Sequence, residues 1–251
     1  MKKAIFNWSG GKDSSLTLYD VLQKKEFDIQ CLLTSVNTQY RRISMHGVRE
    51  ELLEAQAKSI GIPLHKLMVP EMPSMEDYNN LMSKTLKPFV KNGVEHSIFG
   101  DIFLEDLKLY REEQLAKVNM KGVFPIWKKD TTKLVRDFID LGFKAVLVCV
   151  NERFLDQSFA GRAIDKSFLK DLPKNVDPCG ENGEYHSFVY DGPIFKKPIA
   201  FKKGEVVYRN YKPVACSPNT SSNDQYSANS SMQNVDTGFW YCDLLSNSNN
   251  S

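Results

Sequence analysis

Apolar and polar positions follow two rhythms along this chain. Short runs of mainly apolar residues bounded by turn formers recur at 3–8, 29–36, 64–69 and 97–100. Between them, at 14–25, 48–60, 74–91 and 103–118, apolar residues return every three or four positions. The alternation predicts βαβ units around a parallel sheet. The helix over 48–60 carries its own stop signal, Gly61 followed by Pro63.

At 122–127 (GVFPIW) a proline-bearing turn interrupts this order, and a helix over 131–141 then leads into an apolar run at 145–150. A domain boundary is expected near residue 119. The stretch 177–195 (DPCGENGEYHSFVYDGPIF) is dense in turn residues around a predicted strand at 185–190. Residues 194–201 and 205–210 are predicted to pair as a hairpin across Lys203-Gly204. Residues 216–234 are dominated by Ser and Asn, a composition that buries too little apolar surface to order itself and reads as a linker. The aromatic end beyond it, GFWYCDLL at 238–245, is expected to dock on the body in preference to a partner. The expected organisation is an α/β parallel-sheet nucleotide-binding domain at 1–118, a smaller α+β domain at 119–212, and a tail at 213–251.

Composition narrows the classes without choosing among them. With 251 residues, 41% of them hydrophobic, the chain can fill a core without covalent staples. Lys and Arg number 33 against 31 Asp and Glu, so no global field recruits nucleic acid or an anionic membrane. Cys31, Cys149, Cys179, Cys216 and Cys242 show no CxxC or His-rich spacing, which argues against a zinc site and a disulfide framework. No run reaches membrane-spanning length, and the stretch after Lys2-Lys3 is too short for a signal peptide. A soluble cytoplasmic protein is expected.

Candidate chemistry begins at FNWSGGKDSS, residues 6–15, where the first strand gives way to the first helix. Such a turn presents backbone N–H groups and the positive end of a helix dipole, so it is suited to an anion. Gly10 and Gly11 let a phosphate approach the backbone. Ser9, Ser14 and Ser15 add hydroxyl donors, Lys12 adds a point charge, and Asp13 can hold a Mg2+ that bridges phosphate oxygens. The spacing matches neither GxGxxG nor GxxxxGK[ST], and a serine-capped glycine turn also occurs without a ligand. Asp101, after Gly100, ends the fourth predicted strand; if that strand neighbours the first, Asp101 faces the loop as a second magnesium ligand, and otherwise it caps a helix. Ser35 and His46 lie on the same predicted carboxyl edge and are assigned to the nucleotide, a capping or surface histidine being the alternative for His46. In CGENGEYHS (179–187), Glu181, Glu184, Tyr185 and His186 stand on a turn that could bind a cation, orient ammonia or remove a proton from an attacking amine; a solvated surface turn is the alternative.

The string SGGKDS resembles the pyrophosphatase loop of the N-type ATP pyrophosphatases, which include the GMP, asparagine and NAD synthetases and the tRNA thiolation enzymes. The resemblance implies an adenine nucleotide alpha hydrolase-like fold, ATP gripped by its pyrophosphate and attack at the α-phosphorus. Taken with Gly100-Asp101, FPIW at 124–127 and VDPCGENGEYHSFVYDGPIF, residues 3 to about 200 resemble the diphthine-ammonia ligase family. That resemblance implies an ATP-dependent amide ligase which adenylates a carboxylate, releases pyrophosphate and amidates it with ammonium, the acceptor being diphthine on elongation factor 2 or a related carboxylate. By that resemblance Ser9, Gly10, Gly11, Lys12, Asp13 and Ser14 match the ATP loop, and Glu181, Glu184 and His186 the motif that faces the substrate; joined with the residue reading, Lys12, Asp13, Asp101, Glu184 and His186 are assigned to catalysis, Ser15 also to ATP, Asp13 and Asp101 to Mg2+, and Tyr185 also to the substrate. The run DLKLYR at 106–111 and the Ser/Asn tail depart from the family pattern. A tRNA-modifying ATP pyrophosphatase and a non-catalytic nucleotide sensor remain the alternatives, nucleic acid being disfavoured by the balanced charge; a homo-oligomer is compatible with the sequence.

Overall fold

The computed structural model describes residues 1–43, 46–211 and 237–247. Its first half is a mostly parallel sheet. Strand β1 (Lys2–Asn7) is central, with β2 (Phe27–Asn37) on one side and β5 (His96–Ile98) then β6 (Lys121–Val123) on the other. Strand β2 pairs in parallel with β4 (Leu64–Val69) and, at its far end, antiparallel with the short β3 (Arg42–Ile43). The chain leaves β1 toward β2 and returns on the opposite side at β5, so the strand order switches between β1 and β5. Ligands of open α/β sheets bind outside the carboxyl ends at such a point.

The run Ala4-Ile5-Phe6 is fully buried because both faces of a central parallel strand are covered. Ala4 and Phe6 belong to one hydrophobic cluster and Ile5 to the other, as a period of two requires. Helices α1 (Lys12–Lys24) and α2 (Glu50–Ile60) contribute to the first cluster; α3 (Met75–Lys91) and α4 (Glu105–Ala116) contribute Leu86 and Leu115 to the second. Helix α2 stops as read from the sequence, with Gly61 at φ +87°.

The second half is an antiparallel sheet in the order β8 (Tyr185–Asp191), β7 (Lys144–Asn151), β10 (Thr237–Ser246), β9 (Phe201–Tyr211). It is accompanied by α5 (Thr131–Asp140) and α6 (Lys166–Asp171), each opened by an aspartate, Asp130 and Asp165, that accepts a backbone N–H. Its apolar residues, Val146, Leu147 and Phe188 among them, join the same cluster as Phe6 and Leu52. The second sheet therefore lies over the α1–α2 face of the first.

Three expectations are corrected. Residues 121–123 are a strand on β5, not only a turn, because Pro125 lies beyond the paired residues and leaves the ladder intact. The expected hairpin across Lys203-Gly204 is a single continuous strand, β9. Its partner comes from far along the chain: Phe201 pairs with Ser246 and Tyr211 with Thr237. The aromatic end docks on the body as expected, but as a strand of the second sheet and not as a separate tail. As β10 it sits between β7 and β9 and buries Cys242 and Leu244. The linker reading over 216–234 lies outside the described residues, as does Cys216; Cys31, Cys149, Cys179 and Cys242 are buried free thiols. Among the described residues no helix is long and apolar enough to cross a membrane.

Candidate functional site

The loop from β1 to α1 is shaped by what touches its glycines. Gly10 has φ +77°, and a Cβ there would stand 2.6 Å from Gln56 Oε1. A Cβ on Gly11 would meet His46 Cε1 at 2.9 Å and the Ser187 carbonyl oxygen at 3.1 Å. Gly11 caps α1 with no side chain of its own; its N–H and that of Lys12 donate to the Ser9 and Ser187 hydroxyls, and the N–H groups of Asp13 and Ser14 follow at the helix opening, the end suited to an anion. The Ser14 and Ser15 hydroxyls donate back to the Gly11 carbonyl at 3.0 and 2.9 Å, and Ser9 Oγ lies 3.1 Å from Ser14 Oγ.

Strand β8 closes over this loop. The Val189 N–H donates to the Gly10 carbonyl at 2.9 Å, and the Lys12 N–H donates to Ser187 Oγ at 3.1 Å. Buried Gln56 ties the layers together: its Nε2 donates to the carbonyls of Gly10 (3.0 Å) and Val189 (2.6 Å), and its Oε1 accepts from Trp8 Nε1 (3.1 Å).

Charge is concentrated beside the loop. Lys12 is buried, with Nζ 2.6 Å from Asp13 Oδ2 and 5.3 Å from the Tyr185 ring centre. Burial, the largest single influence, disfavours its charge, but Asp13, Tyr185 and Cys179 together outweigh it and keep Lys12 protonated above its ordinary range. Burial raises the Asp13 carboxyl, with Lys12 opposing. A Cβ on Gly100 would lie 3.1 Å from the Asp13 carbonyl carbon and the Ser14 nitrogen, so the exit of β5 touches the start of α1. The next residue, Asp101, pairs with Arg111 of α4 at 2.7 Å (Oδ2 to Nε) and 3.2 Å (Oδ1 to Nη2), while the guanidinium lies 4.4 Å from the Phe99 ring centre. The shorter contact is not aligned as a hydrogen bond, which leaves Asp101 Oδ2 buried without a directed donor.

The second-domain motif enters here through Glu181, whose Oε1 accepts from the Ile102 N–H at 2.8 Å. Burial first, then the charges of Asp13 and Asp101, push its carboxyl up to about 8. His186 packs on His46 with ring centres 4.7 Å apart and ring planes tilted by 32°, and His46 Nδ1 is 3.2 Å from the Ser187 carbonyl. Burial holds both rings neutral: His46 is lowered to about 4 and His186 well below its ordinary value, with Lys12 adding to each.

Ser9, Gly11, Lys12, Asp13, Ser14, Ser35, His46, Asp101, Glu181, Tyr185 and His186 all line one cleft of about 2750 Å3. That exceeds the roughly 300–1,000 Å3 of a small-ligand pocket. Ser35 reaches it near the Tyr78 hydroxyl. Gly10, Ser15 and Glu184 do not line it, and for Glu184 the catalytic expectation is corrected. Its Oε1 accepts from the Asp177 N–H (3.0 Å) and Asn182 Nδ2 (3.1 Å), its Oε2 from the Asn182 N–H (2.9 Å), and only 1% of the residue is exposed. A carboxylate so occupied holds the 177–184 turn and does not reach a reactant. Tyr185 is likewise buried, its hydroxyl donating to the Pro178 carbonyl at 2.5 Å.

Among the described residues no three His, Cys, Asp or Glu side chains converge as a metal cage. Asp13 and Asp101 match in number the one or two carboxylates that magnesium takes together with substrate phosphates, and each is here ion-paired, with Lys12 and with Arg111. Sequence reasoning missed Arg111, Gln56, Ser187 and Asp177, whose Oδ2 accepts from the N–H groups of Cys179 and Glu181. Asp177 had a local signal, the Asp-Pro opening of a turn; the others became visible only through contacts 10 to 175 positions apart in sequence.

Two family models match the chain, the diphthamide synthase N-terminal domain over residues 1–122 and its C-terminal domain over 130–215. The chain belongs to this family, that of the diphthine–ammonia ligases. These family members are named for carbon–nitrogen ligation. The Homo sapiens diphthine–ammonia ligase is 28% identical over 198 residues, 70% of this chain and 71% of that protein. The Schizosaccharomyces pombe one is 33% identical over 100 residues, 38% of this chain and 16% of that protein. A solved structure named as a predicted subunit of tRNA methyltransferase from Methanocaldococcus jannaschii aligns with TM-score 0.39 and 17% identity, over 57% of this chain and 77% of that one. Strand β10 lies beyond the residues that the family models match.

Proposed function

We propose that this chain is an ATP-dependent amide ligase that converts a carboxylate, that of diphthine on elongation factor 2 or a close relative, into its amide with ammonium. The observation that carries the reading is the Ile102 N–H to Glu181 hydrogen bond, which brings the second-domain motif against Asp101 and the phosphate loop in one cleft. The α1 N-terminus and Lys12 grip the β and γ phosphates, leaving the α-phosphorus open. The acceptor carboxylate attacks there, pyrophosphate departs with its charge held by Lys12 and the backbone N–H groups, and an acyl adenylate results. Ammonium gives up one proton to solvent, the resulting ammonia attacks the acyl carbon, AMP leaves, and the nitrogen sheds its excess proton to the solvent of the cleft, because His186 is held neutral well below its ordinary range and takes none. Asp13 and Asp101 would hold Mg2+, which when bound neutralises phosphate charge. The volume of the cleft leaves room for a protein-borne acceptor beside the nucleotide.

The test supplies ATP, magnesium, ammonium and diphthine-bearing elongation factor 2, with AMP, ADP, pyrophosphate and amide assayed separately. Stoichiometric AMP, pyrophosphate and amide that depend on the acceptor are expected. Formation of ADP, AMP that depends on tRNA instead, or nucleotide binding without turnover would overturn the reading.

A further inference from the structure

We infer that Asp243, on the C-terminal strand β10, is a positioning residue of the nucleotide site that acts through the segment carrying His46. The inference rests on the ATP reading above. Arg42 and Arg49 face each other as an antiparallel bridge at the two ends of the turn between β3 and α2. Like charges directly opposite across such a bridge repel. Asp243 lies between them: its Oδ1 accepts from Arg42 Nη1 at 2.8 Å and Arg49 Nε at 3.2 Å, and its Oδ2 from Arg49 Nη2 at 2.7 Å. The same Arg42 Nη1 donates to the Gly47 carbonyl at 2.6 Å, so the clamp reaches the residue next to His46.

A second contact from the same strand acts at the same place. Gly47 has φ +68°, and a Cβ there would be 3.1 Å from Cδ1 of Tyr241, two residues before Asp243 and so on the same face of β10. His46 in turn borders Gly11, bonds the Ser187 carbonyl and packs against the His186 ring. A strand some two hundred residues away in sequence thereby fixes the wall of the phosphate loop. Without Asp243 the arginine pair turns from a clamp into a repulsion, and the His46 wall loosens.

The experiment measures ATP dissociation constants by calorimetry, with KM and kcat for acceptor-dependent pyrophosphate release, in wild type, Asp243→Ala, His46→Ala and the double variant. Asp243→Ala should weaken ATP binding on the order of tenfold, the scale of losing charge-assisted hydrogen bonds, and raise KM for ATP far more than it lowers kcat. In the His46→Ala background the same change should matter less than about twofold, because both act through one segment. Wild type that fails to bind ATP defeats the nucleotide reading itself. Wild type that binds ATP while Asp243→Ala binds equally well, or additive effects in the double variant, overturns the inference. If Asp243→Ala does not fold, Arg42→Gln and Arg49→Gln leave β10 intact; unchanged ATP affinity in both is then the overturning result.

Discussion

Glu181 and Glu184 stand three positions apart in one turn and do different work. Glu181 lines the cleft, where burial and two neighbouring carboxylates keep its carboxyl near 8, while Glu184 is sealed beneath the turn by three N–H donors. A Glu184→Gln substitution keeps the size but turns an amide NH2 toward a group that is already a donor. Its cost is a buried unsatisfied pair, about 1–3 kcal/mol, read as a lower urea midpoint at unchanged slope. Unchanged stability with lost ligation would return Glu184 to the reacting groups. Asp13 serves as counter-ion to a buried lysine as well as candidate metal ligand, so its removal perturbs stability and chemistry together.

Among the elements, the approach of β5 to α1 and the insertion of β10 decide most. Gly100 leaves no space for a methyl group without moving the backbone of Asp13 and Ser14. Gly100→Ala should therefore retain a cooperative melt but weaken ATP binding by roughly tenfold or more, as expected when a backbone donor group moves a few tenths of an ångström. Equal affinity in the variant, by calorimetry, would separate the β5 exit from the phosphate site. Strand β10 hydrogen-bonds on both sides, and truncation after residue 236 would expose the β7 and β9 edges and remove buried Cys242 and Leu244. Each large aliphatic side chain lost from a core costs about 2–5 kcal/mol, and unpaired edges aggregate. Loss of soluble protein on truncation is the expected result; a soluble, cooperatively melting product would contradict it.

Across the whole molecule, the interface between the sheets is built on neutral histidines beside a charged lysine. His46 titrates at about 4 in the folded protein against 6.5 unfolded, and His186 is held well below its ordinary value by burial, by His46 and by Lys12. Below 6.5 the unfolded chain binds protons that the folded one refuses, so these groups stabilise the fold above pH 6.5 and progressively withdraw that stability as pH falls toward 4. Chemical unfolding across that window should give a falling midpoint, flattened in a His46→Gln, His186→Gln double variant. An unaltered slope in the double variant would place the acid sensitivity elsewhere.

The sequence by itself determined the elements that depend on neighbours: the buried β1 run, the α2 stop at Gly61, and the glycine loop between β1 and α1. It also held the family, because SGGKDS and CGENGEYHS are local strings. Tertiary structure decided what depends on pairing between distant segments. No local pattern shows that Gly204 lies inside a strand rather than at a hairpin turn, since the distinction rests on β10 arriving beside it. Nor does one show that Glu184 points inward, because a carboxylate's role follows from the N–H groups around it and not from its spacing. The cleft itself is of this kind: three acids from positions 13, 101 and 181 share one field only after the second sheet packs over α1 and α2 and a single hydrophobic cluster runs through both halves.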